Sequence, residues 1–75
     1  MKVQVETKLY AELGGLKSIL LAYLKQYGPT HWNTLVREFG CSESAMKRAL
    51  ADLKNRGYID KDRHITGAGW NLFWE

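Results

Sequence analysis

Between Ser44 and Arg56 stand four basic side chains, Lys47, Arg48, Lys54 and Arg56, with one acid, Asp52, so the whole net charge of +3 falls on this stretch. Ser44, Lys47, Arg48, Ala51 and Lys54 recur at spacings that put them on one side of a helix. A row of Lys and Arg in that arrangement can bond phosphate oxygens, and an Arg can grip a guanine edge through two parallel hydrogen bonds. There is also a plainer explanation. Glu43 to Lys47 and Asp52 to Arg56 are acid-to-base pairs at i,i+4, which keep a solvated face soluble and add a few tenths of a kcal/mol each. Taken by themselves, the residues leave both explanations open.

Other chemistry is thinly supplied. His31 and His64 have no nucleophile or carboxylate partner in a local motif, so no catalytic group is expected and the chain reads as a non-enzyme. A single cysteine, Cys41, excludes an internal disulfide. With two distant histidines it cannot complete a four-ligand zinc site at any usual spacing, so neither metal nor cofactor is expected. Cys41 falls in a tight Gly40-Cys41 connection, where a buried, inert thiol fits.

The elements that must position the basic row are those of one small domain. A chain of 75 residues buries only about 60% of the surface its unfolded form exposes. Its 45% apolar and 25% charged content is that of an average globular protein, not of a disordered one. The longest apolar run, Ile19 to Leu24, is far too short to span a bilayer, and the N-terminus has no signal-peptide pattern. A cytoplasmic protein with no membrane partner is expected. A pI near 9.2 is only mildly basic, so the placement of the charge matters more than its size.

Leu16, Ile19, Leu20, Tyr23, Leu24 and Tyr27 share one helical face, which Gly28-Pro29 ends. Gly14-Gly15 interrupts the same spacing upstream, at about 1 kcal/mol per glycine relative to Ala. Residues 1–14 are therefore read as an N-terminal extension, with a separate turn or short helix from Glu6 to Leu13 and a weak strand signal at Val3 and Val5. Residues 15–75 are read as the core. A short second helix carries Trp32, Leu35, Val36 and Phe39, with Thr30 as its expected N-cap. Ser42 caps the third helix and Glu43 suits its positive end. Ala45, Met46, Ala49, Leu50 and Leu53 form its apolar stripe, opposite the basic row, and Gly57 ends it in the left-handed conformation.

The segment "YIDKDRHITGAGWNLFWE" suggests a hairpin in one of two registers. Either Asp60 to Arg63 is the turn, "HIT" returns, and a helical turn follows in which Trp70, Phe73 and Trp74 share a face, or "TGAG" is the tip and "WNLFW" returns. Gly67 and Gly69 suit a tip, and Thr66 suits a helix cap.

In this order the parts resemble the winged helix-turn-helix family. "LVREFGCSESAMKRALADLKNRGYI" is similar to the family's short helix, Gly turn, Ser cap, paired small and apolar positions and Gly followed by an aliphatic residue. "HITGAGW" is similar to the Leu-Thr-x-x-Gly stretch after the wing in many small bacterial and archaeal regulators, with Ile65 in place of Leu. The resemblance covers about Leu16 to Trp74. It implies an α+β fold, a three-helix core with a C-terminal β-hairpin wing. It also implies duplex DNA binding by the third helix in the major groove, as in small prokaryotic, phage and archaeal transcription regulators and replication or recombination accessory proteins.

In that frame Ser44, Lys47, Arg48 and Ala51 reach base edges, Arg48 as the guanine reader, and Lys54 meets phosphate. Thr30, His31 and Asn33 supply phosphate donors at the start of the second helix. Lys61 and Arg63 are the wing cations, interleaved with Asp60 and Asp62, so a weak wing grip is expected. A minority of the family binds protein or RNA instead. Three Trp, four Tyr and two Phe are more than so small a core needs, and an aromatic cluster at a surface marks an interface. The alternative reading is a protein-interaction module docking through its aromatic C-terminus. A homodimer joined by the N-terminal residues or these aromatics fits either reading, and no small-molecule ligand is expected.

Overall fold

The computed structural model describes Val5 and residues 7–73. Its first two helices, α1 (Thr7–Leu13) and α2 (Gly15–Tyr27), are one amphipathic pattern broken at Gly14. The Gly14 N–H closes α1 on the Tyr10 carbonyl at 2.7 Å, and the Gly14 carbonyl accepts from the Ser18 N–H at 3.0 Å to open α2. The break lets α1 fold back on α2 and bury Leu9 completely.

α2 runs through the middle of the molecule, with α1 and α4 (Glu43–Asn55) packed on it. That position explains why Leu20, Leu21, Ala22, Tyr23 and Leu24 are all buried, a wider band than one amphipathic stripe. Tyr27, expected on the stripe, is 53% exposed because it lies past the last covered turn. Ser18 is fully buried, and its hydroxyl donates to the Gly15 carbonyl at 2.8 Å, so this buried hydroxyl is satisfied.

α3 (Trp32–Phe39) ends where the Gly40 N–H bonds the Val36 carbonyl at 2.9 Å. The Ser42 hydroxyl then accepts from the Ala45 N–H at 3.1 Å and starts α4, the third helix of the core. At the far end the Gly57 N–H bonds the Lys54 carbonyl and the Tyr58 N–H bonds the Leu53 carbonyl, both at 3.0 Å. This paired closure needs a left-handed residue, and Gly57 adopts φ 83, where a Cβ is strained. Met46, Ala49 and Leu53 of α4 meet Leu35 of α3 and the α2 band in one core. Each fully buried Leu or Met contributes about 1.5 to 3 kcal/mol.

The C-terminal segment corrects the expected fold class. Among the described residues the domain is all-helical, with no strand, and the β-hairpin wing is not present. The segment holds a single antiparallel bridge between Ile59 and Ile65. Asp60 organises the turn between them, its Oδ1 accepting from the N–H groups of Asp62 and His64 at 2.9 Å. No return strand forms because the chain re-enters a helix directly after Ile65. The Thr66 hydroxyl accepts from the Gly69 N–H at 3.2 Å and caps α5 (Gly67–Trp70), which runs into a 3₁₀ turn, Asn71–Phe73. Two residues between the turn and the cap are too few to extend a ladder. "TGAG" is therefore a helix start, not a hairpin tip.

Close approach locks this arrangement. Thr66 donates its N–H to the Tyr58 carbonyl at 3.0 Å and its hydroxyl to the Gly57 carbonyl at 2.5 Å. A Cβ on Gly69 would stand 2.2 Å from the Tyr58 oxygen, so only glycine fits. Leu72 and Phe73 enter the core, and the Lys25 ammonium lies 4.6 Å from the Phe73 ring centroid. Trp70 stays 39% exposed. Val5, one half of the strand signal, lies outside any helix and packs against the core; Val3 and Trp74 lie outside the described residues. No helix among the described residues is long and apolar enough to cross a membrane.

Candidate nucleic-acid interface

The two stripes of α4 are separated by burial. Met46, Ala49 and Leu53 are buried with Ala45 and Leu50 partly so, while Ser44, Lys47, Arg48, Ala51 and Lys54 are all exposed. The whole basic row thus stands on one open helix face, which the apolar stripe fixes against rotation.

Its members differ in how they are held. The Lys47 ammonium is 2.7 Å from the Glu43 carboxylate and 4.4 Å from the centroid of the Trp32 ring on α3. Trp32 is half-buried, so its ring is a fixed floor for the lysine, and a cation over an indole gains about 0.5 to 1 kcal/mol at such a site. Arg56 is 3.1 Å from Asp52, which also holds Lys17 of α2 at 2.6 Å. The Lys17 hydrogen bond, then the charge of Arg56, keep the Asp52 carboxyl below its ordinary range. Arg48 and Lys54 make no ion pair or hydrogen bond to another described side chain. Their donors are available to a ligand.

The beginning of α3 joins this face through Trp32. The His31 Nδ1 accepts from the Asn33 N–H at 3.2 Å and caps α3. With Nδ1 accepting, Nε2 is the ring nitrogen left to donate. Asn33 is exposed beside it. Thr30 does not cap α3: it lies one residue too early, is half-buried, and donates its hydroxyl to the Gly28 carbonyl at 3.0 Å. Thr30 is therefore a turn residue, and the phosphate donors that the helix start can offer come from His31 and Asn33.

The chain matches no family model, no curated protein and no solved structure. What the site can do follows from these side chains alone.

Lys61 and Arg63 have no wing to carry them. Lys61 is exposed on the Asp60 turn, whereas Arg63 is half-buried, adopts φ 68, and has a buried Nε without a partner. The same turn holds a group that sequence spacing had dismissed. The His64 Nδ1 lies 3.5 Å from the Asp60 carboxylate, and Asp60, Asp62 and His64 offer ligand atoms within 4.8 Å of one another. Backbone N–H bonds from His64 and Asp62, with the His64 charge, hold the Asp60 carboxyl low, so that carboxylate is already engaged in shaping its turn. All three are exposed.

Trp32 packs against the core from the apolar face of α3, as expected, and its ring also carries Lys47 of α4, a contact that sequence reasoning missed. The contact crosses from α3 to α4, so no spacing within either helix exposes it.

Proposed function

We propose that the protein binds duplex DNA, laying α4 in the major groove and setting the start of α3 against the phosphate backbone. A groove about 12 Å wide admits one helix. The observation that carries this reading is the open row of Ser44, Lys47, Arg48, Ala51 and Lys54, bridged to the start of α3 by the Trp32 ring under Lys47. Arg48, with its fork unpaired, reads guanine; Ser44 and Ala51 allow close approach; Lys54 and Lys47 contact phosphate, as do His31 and Asn33. With no wing, the contacts come from α3 and α4 alone. In this reading the protein is a cytoplasmic regulator of transcription, or an accessory of replication or recombination, in a prokaryote or its virus. It acts by occupying DNA and catalyses nothing.

Two lysine–phosphate contacts, those of Lys47 and Lys54, release counterions in proportion, so the log-log slope of affinity against salt is about −2. Fluorescence anisotropy with a labelled duplex between low and physiological salt measures it. A flat salt response contradicts the reading.

A second reading is favoured by the exposed rings of Tyr10 (58%) and Trp70 (39%). Through that end the domain docks a protein, a second copy included, so that two α4 helices meet half-sites one DNA turn apart. Sedimentation at high concentration that gives the mass of one chain excludes the second copy.

A further inference from the structure

Beside Arg48 the surface of α4 falls into a groove of about 600 Å³. It is lined by Leu13 at the end of α1, Leu16 of α2, and Ala45 and Ala49 of α4, together with Arg48 and the Lys17–Asp52 ion pair. The volume lies within the range of small-molecule sites, which pair apolar walls with a few placed polar groups. The exposed large apolar residues Tyr10, Tyr27 and Trp70 are not among its walls, so the groove lacks the aromatic anchors of a protein interface.

We infer that this groove binds a small carboxylate whose apolar body lies on Leu16, Ala45 and Ala49 and whose carboxylate takes both donors of the Arg48 fork. Charge sets the class. Lys17 is paired with Asp52, which Arg56 outside the lining shares, whereas Arg48 has no carboxylate partner among the described residues, so the complement is an anion held by Arg48. A planar guanidinium matches a planar carboxylate with two parallel bonds. Because Arg48 is also the proposed guanine reader, the ligand and DNA compete for one side chain. The groove is then an effector site built into the binding helix, and it departs from the expectation of no small-molecule ligand. The competition rests on the DNA reading, whereas the groove itself does not.

The test is a chemical-shift titration of the DNA-free protein with 1-naphthoate, using 1-naphthalenemethanol as the uncharged control. The expected result is saturable shifts at Leu16, Ala45, Arg48 and Ala49 at about millimolar concentration, the range a two-ring molecule reaches at ordinary ligand efficiency. The alcohol binds at least about tenfold more weakly, and Arg48→Gln weakens naphthoate by about tenfold or more while the core signals of α2 stay in place. In a parallel assay naphthoate lowers affinity for duplex DNA. No saturable shift at these residues, or equal binding of the alcohol, overturns the site. Unchanged DNA affinity at saturating naphthoate overturns the competition. If naphthoate binds as described and DNA does not bind at all, the reading of α4 fails and the groove stands.

Discussion

The Lys47 ammonium lies 4.4 Å from the centroid of the Trp32 ring, so a cation on α4 rests on an aromatic from the first turn of α3. This contact brings the two proposed DNA-facing segments together, and Glu43 at 2.7 Å holds the lysine from the other side. A lysine anchored in this way loses less freedom on meeting phosphate than one free in solvent.

Lys47→Ala therefore weakens DNA binding about equally for all sequences and reduces the magnitude of the salt slope by about 1. It lowers stability by about 1 kcal/mol or less, because both contacts are at the surface. Affinities at several salt concentrations and a thermal melt measure the two effects. Trp32→Ala frees Lys47 but also removes half-buried apolar area, so it lowers the melting temperature more than Lys47→Ala does.

Arg48→Ala has a different signature. A bidentate guanine contact is worth about 1 to 3 kcal/mol of discrimination, or about 5- to 150-fold. The variant loses that preference at one base position and keeps its stability, since the side chain lies off the apolar stripe. Affinities for a preferred duplex and its single-base variants are the check. A uniform loss over all variants assigns Arg48 to phosphate instead.

The C-terminal lock makes Gly69→Ala costly. A Cβ there meets the Tyr58 carbonyl oxygen at 2.2 Å, and relieving such a clash against backbone costs about 3 kcal/mol, which lowers the melting temperature by about 12 °C or more in a domain this small. Thr66→Ala, which removes the bonds to Gly57 and Gly69, costs about 1 to 2 kcal/mol. Thr66→Ser retains both bonds and most of the stability.

Acid acts through Asp52 and Asp60. Both carboxyls are held below their ordinary value of 3.8, Asp52 chiefly by Lys17 and Asp60 by the N–H of His64. A depressed carboxyl stabilises the fold fully above its unfolded value and ceases to do so as pH falls through the lower folded one. Melting temperature therefore falls below about pH 4. Asp52→Asn, which gives up the Lys17 and Arg56 pairs, lowers it at neutral pH and shrinks the acid-induced loss. An unchanged acid profile in that variant contradicts the assignment.

The helices that carry the site were legible because their signals are local. The apolar spacing of α2, the Ser42 cap and the Gly57 stop each lie within a few residues of what they control, and they set which side of α4 faces out. The wing was misread for the same reason. Ile59, the Asp60 turn and Ile65 do make a bridge, but Thr66 also caps a helix, and which signal wins depends on the Tyr58 carbonyl standing against Gly69. That contact is set by tertiary packing. Thr30 was the expected cap, and only the backbone geometry that turns the His31 Nδ1 toward the Asn33 N–H moves that role to the next residue. The Lys17–Asp52 and Trp32–Lys47 contacts join separate helices, so no spacing rule exposes them.

The central claim is that the outward face of α4 meets DNA, and a chemical-shift titration with duplex DNA at two salt concentrations tests it most directly. The account predicts that Ser44, Lys47, Arg48 and Ala51 move together with His31 and Asn33 at low salt, and that these shifts recede as salt rises. Shifts confined to the end carrying Tyr10 and Trp70, or an α4 face that stays unmoved at low salt, would contradict it.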